Sequence, residues 1–264
     1  MRAQFVRTLA WALSLYALVM LLVALAHDSL LYPAPTPRQA AFADGVTIEG
    51  RCGAVPASGQ LLVASDGAPT VAHFHGNAEQ VADIERLALN LRARGLGVLV
   101  AEFPGYGVLA DADPSEQALI ASARCTLSLA QQRFGLRPAN TVLMGRSLGT
   151  GVAVALAAQG WGERLVLLAP YTSIRQLAEG VYPWLPTSLL VRDPFDSLQR
   201  ARDVDVPTLV IHGTRDRVIP PQHSHRMAEA LDARLLSVDA GHNDLFALQG
   251  HVLVPELTRF AWAF

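Results

Sequence analysis

Thr141-Val142-Leu143-Met144-Gly145-Arg146-Ser147-Leu148-Gly149-Thr150-Gly151 is the stretch that decides the fold of this chain. A short apolar run enters a Gly-x-Ser-x-Gly turn, and small residues continue beyond it from Thr150 through Ala158, as in a closely packed helix. Strand, tight turn and helix in that order are the context a nucleophile elbow requires. The serine backbone at such a turn is strained. Side chains at the flanking positions would collide with the neighbouring strand and helix, which accounts for Gly145 and Gly149. The turn lifts the Ser147 hydroxyl clear of the sheet, at a helix N-terminus that favours developing negative charge.

Working outward, short apolar runs alternate with helical patterns. Val71 to His75, Val98 to Phe103, Leu165 to Ala169, Thr208 to His212 and Arg234 to Val238 join Thr141 to Gly145 as expected strands. Most are continuous Val/Leu-rich runs, as in strands buried on both faces of a parallel sheet. Val81, Ile84, Leu87 and Leu91 recur at helical spacing, and Pro114-Ser115-Glu116 opens a second helix toward Arg133. The alternation predicts a mostly parallel, doubly wound α/β sheet. Phe42 to Ser65 reads as two or three antiparallel edge strands.

A serine hydroxyl is a weak nucleophile without a base. The expected chain order for such an elbow is Ser, then acid, then His. Asp216 follows the strand ending at His212, and His242 follows the strand ending at Val238, so both emerge at the sheet edge that carries Ser147. Asp193, Asp196, Asp203 and Asp205 lie in or near an insertion and read as surface or capping residues. Asp239 and Asp244 flank His242 and read as its supporting partners. His212 reads as structural, and His223 and His225 as surface residues. An oxyanion hole needs two backbone N–H donors, expected from Leu148 and from Asn77 in His73-Phe74-His75-Gly76-Asn77. His73 and His75 share a strand face, but a metal would need a third ligand, and none is near in sequence. No metal and no cofactor is expected.

Composition removes other classes. The 264 residues include 21 basic ones, all Arg, at a net charge of -2. Without Lys there is no P-loop and no Schiff-base chemistry. Without a basic stripe, nucleic acid is not an expected partner. Cys52 and Cys125 form no CxxC pair, so a thiolate zinc site lacks support. Cys125 reads as a small buried apolar residue; a disulfide with Cys52 is left open.

Leu9 to Ala26 carries no charge. As a helix it spans roughly 27 Å at ~1.5 Å per residue, close to the hydrocarbon thickness. Arg2 and Arg7 precede it, and no basic residue follows before Arg38. The positive-inside rule then keeps the N-terminus in the cytoplasm and puts the body outside it. Ala24-Leu25-Ala26 also fits a signal-peptidase site, giving secretion after cleavage near Ala26 as the alternative, although the apolar run exceeds the ~7–15 residues of a signal core. Tyr32 to Pro37 is a Pro-rich connector. The expected organisation is a membrane segment and connector over residues 1–37 and one catalytic domain over 38–264. Residues 171–205 form a short cap, with Trp184, Leu185, Leu189 and Leu190 as apolar surface. The site is expected to need nothing from the first ~32 residues.

Together these motifs resemble the compact α/β-hydrolase subfamily of membrane-associated acylglycerol and lysophospholipid hydrolases and protein depalmitoylases. The likeness rests on Phe74 to Glu79, Phe103-Pro104-Gly105-Tyr106-Gly107, Gly145 to Gly151, His212 to Pro220 and Gly241-His242-Asn243, and spans about Phe42 to Phe264. It implies the α/β-hydrolase fold and a Ser147–His242–Asp216 serine hydrolase acting on an acyl ester or thioester, with the substrate left open. A serine peptidase for short peptides and a non-catalytic membrane-attached binding protein are the competing expectations.

Overall fold

The structure is a computed structural model and describes residues 1–63 and 65–263. Ala64, within the expected edge-strand region, and the expected boundary Phe264 lie outside the described residues. Eight strands form one sheet: β1 (Val46–Cys52), β2 (Val55–Leu62), β3 (Thr70–Phe74), β4 (Gly97–Ala101), β5 (Thr141–Arg146), β6 (Arg164–Leu168), β7 (Thr208–Gly213) and β8 (Arg234–Val238). Their order is β1-β2-β4-β3-β5-β6-β7-β8. β1, β2 and β4 pair antiparallel, and every pair from β4 onward is parallel. Each strand expected from sequence is present within a residue or two, and the edge region gives two strands, β1 and β2.

The continuous apolar strands are buried on both faces because helices cover both. The helices α3 (Val81–Arg92) and α10 (Leu245–Trp262) pack on one face, through Ile84, Leu91, Leu253 and Leu257 against Val71, Val98, Val142 and Leu209. On the other lie α4 (Glu116–Phe134), α5 (Leu148–Ala157) and α9 (Pro221–Ala230), whose Leu119, Leu127, Val152 and Met227 meet Leu99, Leu143 and Leu167. The Ser115 hydroxyl caps α4 by accepting from the Ala118 amide, at the expected helix start. The strand order reverses at β3, with β4 on one side and β5 on the other, and Phe74 stands beside Gly145. A crevice opens at such a switch point beyond the strand ends.

Cys52 and Cys125 are joined in a disulfide, with Cα atoms 5.8 Å apart. This corrects the expectation of a lone apolar Cys125: the residue is buried, as expected, but bonded. The bridge ties the end of β1 to α4. A 73-residue separation hides that neighbourhood from a reading of local pattern.

The N-terminal helix α1 (Arg2–Leu25) has mean hydropathy 2.2 and no buried residue, and is long enough to cross a membrane. The next element, α2 (His27–Leu31), lies against the segment between β6 and β7. That segment holds α6 (Ile174–Val181), α7 (Thr187–Leu190) and α8 (Ser197–Arg200). Asp28 pairs with Arg192 at 2.8 Å, His27 Nε2 accepts from the Arg192 amide, and the buried Tyr32 hydroxyl donates to Asp193.

Candidate active site

Ser147 sits between β5 and α5 at φ 49°, ψ −118°, a conformation L-residues rarely adopt. Close packing enforces the turn. Its amide donates to the Leu168 carbonyl, and the Thr150 hydroxyl donates to its own carbonyl at 2.6 Å. A Cβ on Gly149 would stand 2.1 Å from the Phe74 carbonyl oxygen, and one on Gly145 would stand 2.4 Å from the Gly149 oxygen. The two glycines are therefore required for the reason expected from sequence.

The three expected side chains meet. His242 Nε2 is 3.0 Å from Ser147 Oγ, and His242 Nδ1 is 2.7 Å from Asp216 Oδ2. The other Asp216 oxygen accepts from the amides of Val218 and Ile219, at 2.8 and 2.9 Å. Burial alone would raise this carboxyl. The His242 hydrogen bond and the two amides overcome it and hold Asp216 below the ordinary carboxylate value. His212 is buried and braces the acid loop: Nε2 bonds the Ile219 carbonyl and Nδ1 meets the Ser224 hydroxyl. Asp244 accepts from the Gly241 amide at 2.6 Å and fixes the His242 loop, whereas Asp239 pairs outward with Arg215. Asp196 caps α8, and Asp193 accepts from Tyr32 and from the Glu116 amide. His223 differs from expectation, being half-buried with Nδ1 bonded to Thr172.

The loop after β3 crosses in front of Ser147. Asn77 Oδ1 accepts from the Tyr106 hydroxyl at 2.7 Å, and Asn77 Nδ2 donates to the Leu31 carbonyl at 2.7 Å. The second bond corrects the expectation that the site is independent of the first ~32 residues. Leu30 and Leu31 line the cleft over Ser147, so α2 is one of its walls.

His75 Nε2 lies 3.0 Å from Glu102 Oε1, and its ring packs on Phe103 at 4.3 Å between centroids. His73 is buried and, among the described residues, has no hydrogen-bond partner at either nitrogen. Desolvation, with His75 and Arg146 nearby, pulls it down to about 3, so it stays neutral. The two imidazoles thus sit in different surroundings and share no third ligand among the described residues.

Glu79 and Arg146 carry no expected role from sequence alone. Their side chains form an ion pair with little exposure. Glu79 also accepts from the Gly76 amide at 2.7 Å, and Arg146 donates to the His242 carbonyl at 3.1 Å. The pair therefore ties the loop after β3, the elbow and the His242 loop together. The signal was available: Arg146 is the second residue of Gly-x-Ser-x-Gly, and Glu79 ends the Phe74–Glu79 motif.

The cleft has a volume of about 750 Å³ and is largely apolar, with Leu148, Ile174, Leu177 and Val181 facing Leu30 and Leu31. The carboxylate and guanidinium in its lining, Glu79 and Arg146, are paired with each other.

No protein-family model matches the chain. A Mycobacterium tuberculosis protein described only as uncharacterised is 37% identical over 195 residues, 73% of this chain and 69% of that protein. The human alpha/beta hydrolase domain-containing protein 17B is 29% identical over 180 residues, 67% of this chain and 61% of its own. An esterase of Pyrococcus furiosus superimposes with a TM-score of 0.71 at 16% identity, covering 86% of this chain and 96% of that one. Sequence relatives, sheet order and elbow geometry agree, and the chain belongs to the α/β-hydrolase family.

Proposed function

We propose that the chain is a serine hydrolase of acyl esters or thioesters, with Ser147 as nucleophile, His242 as general base and Asp216 as its orienting acid. One observation carries the proposal: an unbroken chain of contacts, 3.0 and 2.7 Å, from the elbow serine through His242 to a buried, fully hydrogen-bonded carboxylate. Asp216 accepts from His242 Nδ1–H, which leaves Nε2 free to take the serine proton. As Ser147 Oγ bonds to the acyl carbon, the amides of Leu148 and Asn77 donate to the developing oxyanion. The bond to the leaving alcohol or thiol breaks, and His242 returns the proton to it. Water, deprotonated by His242, then adds to the acyl-enzyme, releasing the acid and restoring Ser147. None of these steps calls on a metal or cofactor.

The apolar cleft suits an acyl chain. A peptidase for short peptides needs an unpaired charge to hold a terminus, and the charges lining the cleft are paired with each other. The fully assembled contact chain weighs against a purely binding role. We place the catalytic domain outside the cytoplasm, on an uncleaved α1 anchor over residues 1–37, with residues 171–205 as the cap. The test is labelling by a fluorophosphonate probe, together with a panel of p-nitrophenyl esters and acyl thioesters. Ser147→Ala is expected to abolish both activities, since losing the nucleophile costs on the order of 10⁴–10⁶ in rate. A Ser147→Ala protein that keeps a tenth of the wild-type rate refutes the assignment.

A further inference from the structure

The apolar helix α1 does not simply leave the domain. At Tyr16, near its middle, the side-chain hydroxyl donates to the Trp184 carbonyl at 3.0 Å, and the two rings lie 6.5 Å apart. Tyr16 is nine residues before the helix end at Leu25, which is about 13 Å along the axis at 1.5 Å per residue. If α1 crosses a bilayer, Trp184 lies well inside a hydrocarbon layer ~30 Å thick, even when the helix is tilted by ~40°.

The segment around Trp184 has the chemistry that this depth demands. From Val181 to Val191 there is no charged residue. Val181, Tyr182, Trp184 and Leu189 are 56%, 49%, 58% and 79% exposed, an unusual cluster for a surface that faces water. Five of its amides, those of Tyr182, Leu185, Thr187, Leu189 and Val191, donate to carbonyls within the segment or in α6. Pro183 and Pro186 have no N–H to satisfy. Charge reappears at Arg192, which pairs with Asp28 just past the end of α1. Both apolar elements therefore end at one level, marked by that ion pair.

We propose that Val181–Val191 is embedded beside α1 in the leaflet adjoining the catalytic domain, so that the cleft over Ser147 opens to lipid and takes membrane-resident acyl esters or thioesters. Val181 and Tyr182 on one side and Leu30 on the other line the cleft, so an acyl chain would pass between them without crossing water. The embedding rests on the geometry and on α1 as a retained membrane anchor, whereas the substrate class rests on the hydrolase reading given above.

The experiment uses the full chain in phosphatidylcholine vesicles, with Trp184 as the sole tryptophan (Trp11→Phe, Trp161→Phe, Trp262→Phe). Lipids brominated on the acyl chain are expected to quench Trp184 at least twofold, and aqueous iodide to leave it unquenched. Iodide quenching without bromine quenching overturns the proposal, as does a mature protein that begins at His27. A second variant, Leu189→Glu, covers the case in which the triple replacement fails to fold. It is expected to lose at least tenfold in turnover of a long-chain acyl thioester held in vesicles, and to keep wild-type hydrolysis of p-nitrophenyl acetate in water. Equal rates for variant and wild type on the vesicle substrate, or equal losses on both substrates, overturn the proposal. Wild-type protein inert toward p-nitrophenyl acetate refutes the hydrolase reading instead, while the quenching still decides the embedding.

Discussion

Replacing both cysteines, Cys52→Ala and Cys125→Ala, is expected to cost the protein about 4 kcal/mol. The figure follows from the chain topology. The bridge closes a loop between residues 73 apart, and the chain-entropy model assigns about 4 kcal/mol at 25 °C to a loop of that length. For a domain of this size the loss corresponds to a melting temperature lower by roughly 10 °C. Alanine is chosen because Cys125 is buried among apolar residues, where a serine hydroxyl would add its own desolvation cost. The measurement is urea unfolding in detergent micelles of the oxidised protein, the reduced protein and the double variant. The last two should coincide. Activity in the folded range should survive, because β1 lies at the far end of the sheet, with three strands between it and β5. Two titratable thiols in the native protein, or a stability loss under about 1 kcal/mol, would refute the reasoning.

Other expectations follow from the same geometry. Asp216→Asn should lower turnover by about 10³–10⁴-fold, because an amide no longer holds His242 in the required tautomer. Asp193→Asn and Asp205→Asn should stay within tenfold of wild type; a dead Asp193 variant reassigns the acid to the cap. Glu79→Gln should cut kcat roughly 10–100-fold with little change in KM, since it loosens three loops without touching the reacting atoms; unchanged kcat removes it from a positioning role. His73 has its folded value pulled down to about 3 from the ordinary 6.5, so the unfolded chain binds the extra proton between those limits. Stability should then fall as pH drops from 6.5 toward 3, by up to about 5 kcal/mol. His73→Leu should flatten the pH dependence of the urea midpoint by about one proton, and an unchanged slope sends the titration elsewhere.

Much of the site was legible because each part is local. The elbow needs Gly145 and Gly149 within five residues of sequence, and the proposed acid and base, Asp216 and His242, each follow a strand by a few residues. The sheet was legible because strands buried on both faces must be apolar throughout. What stayed hidden was non-local. The disulfide depends on the end of β1 meeting α4. The Glu79–Arg146 tie depends on β3 and β5 being neighbours, which composition does not reveal. The participation of α2 was missed for a different reason. Tyr32 and Leu31 lie beside a Pro-rich stretch that looks like a passive connector, yet Tyr32 is buried against Asp193 and Leu31 holds Asn77.

The disulfide also bears on which side of the membrane the domain works. Arg2 and Arg7 before α1, with no basic residue from there to Arg38, favour a cytoplasmic N-terminus and hence an external domain. That rule concerns insertion and owes nothing to the folded domain. A bridge between Cys52 and Cys125 concerns only the folded domain, and glutathione would keep such thiols reduced in the cytosol of most organisms. Both features are what the proposed external domain requires, and either one would suffer if the domain were turned inward. A cleaved signal would place the domain on that side as well, but it would remove Tyr16 from Trp184 and leave the exposed apolar surface of the cap without its helix. Retaining α1 accounts for the positive flank, the disulfide and the cap together. On the proposed anchor it also accounts for the placement of α2, since a wall of the cleft built from the residues next to α1 would keep Ser147 at a fixed height above the membrane.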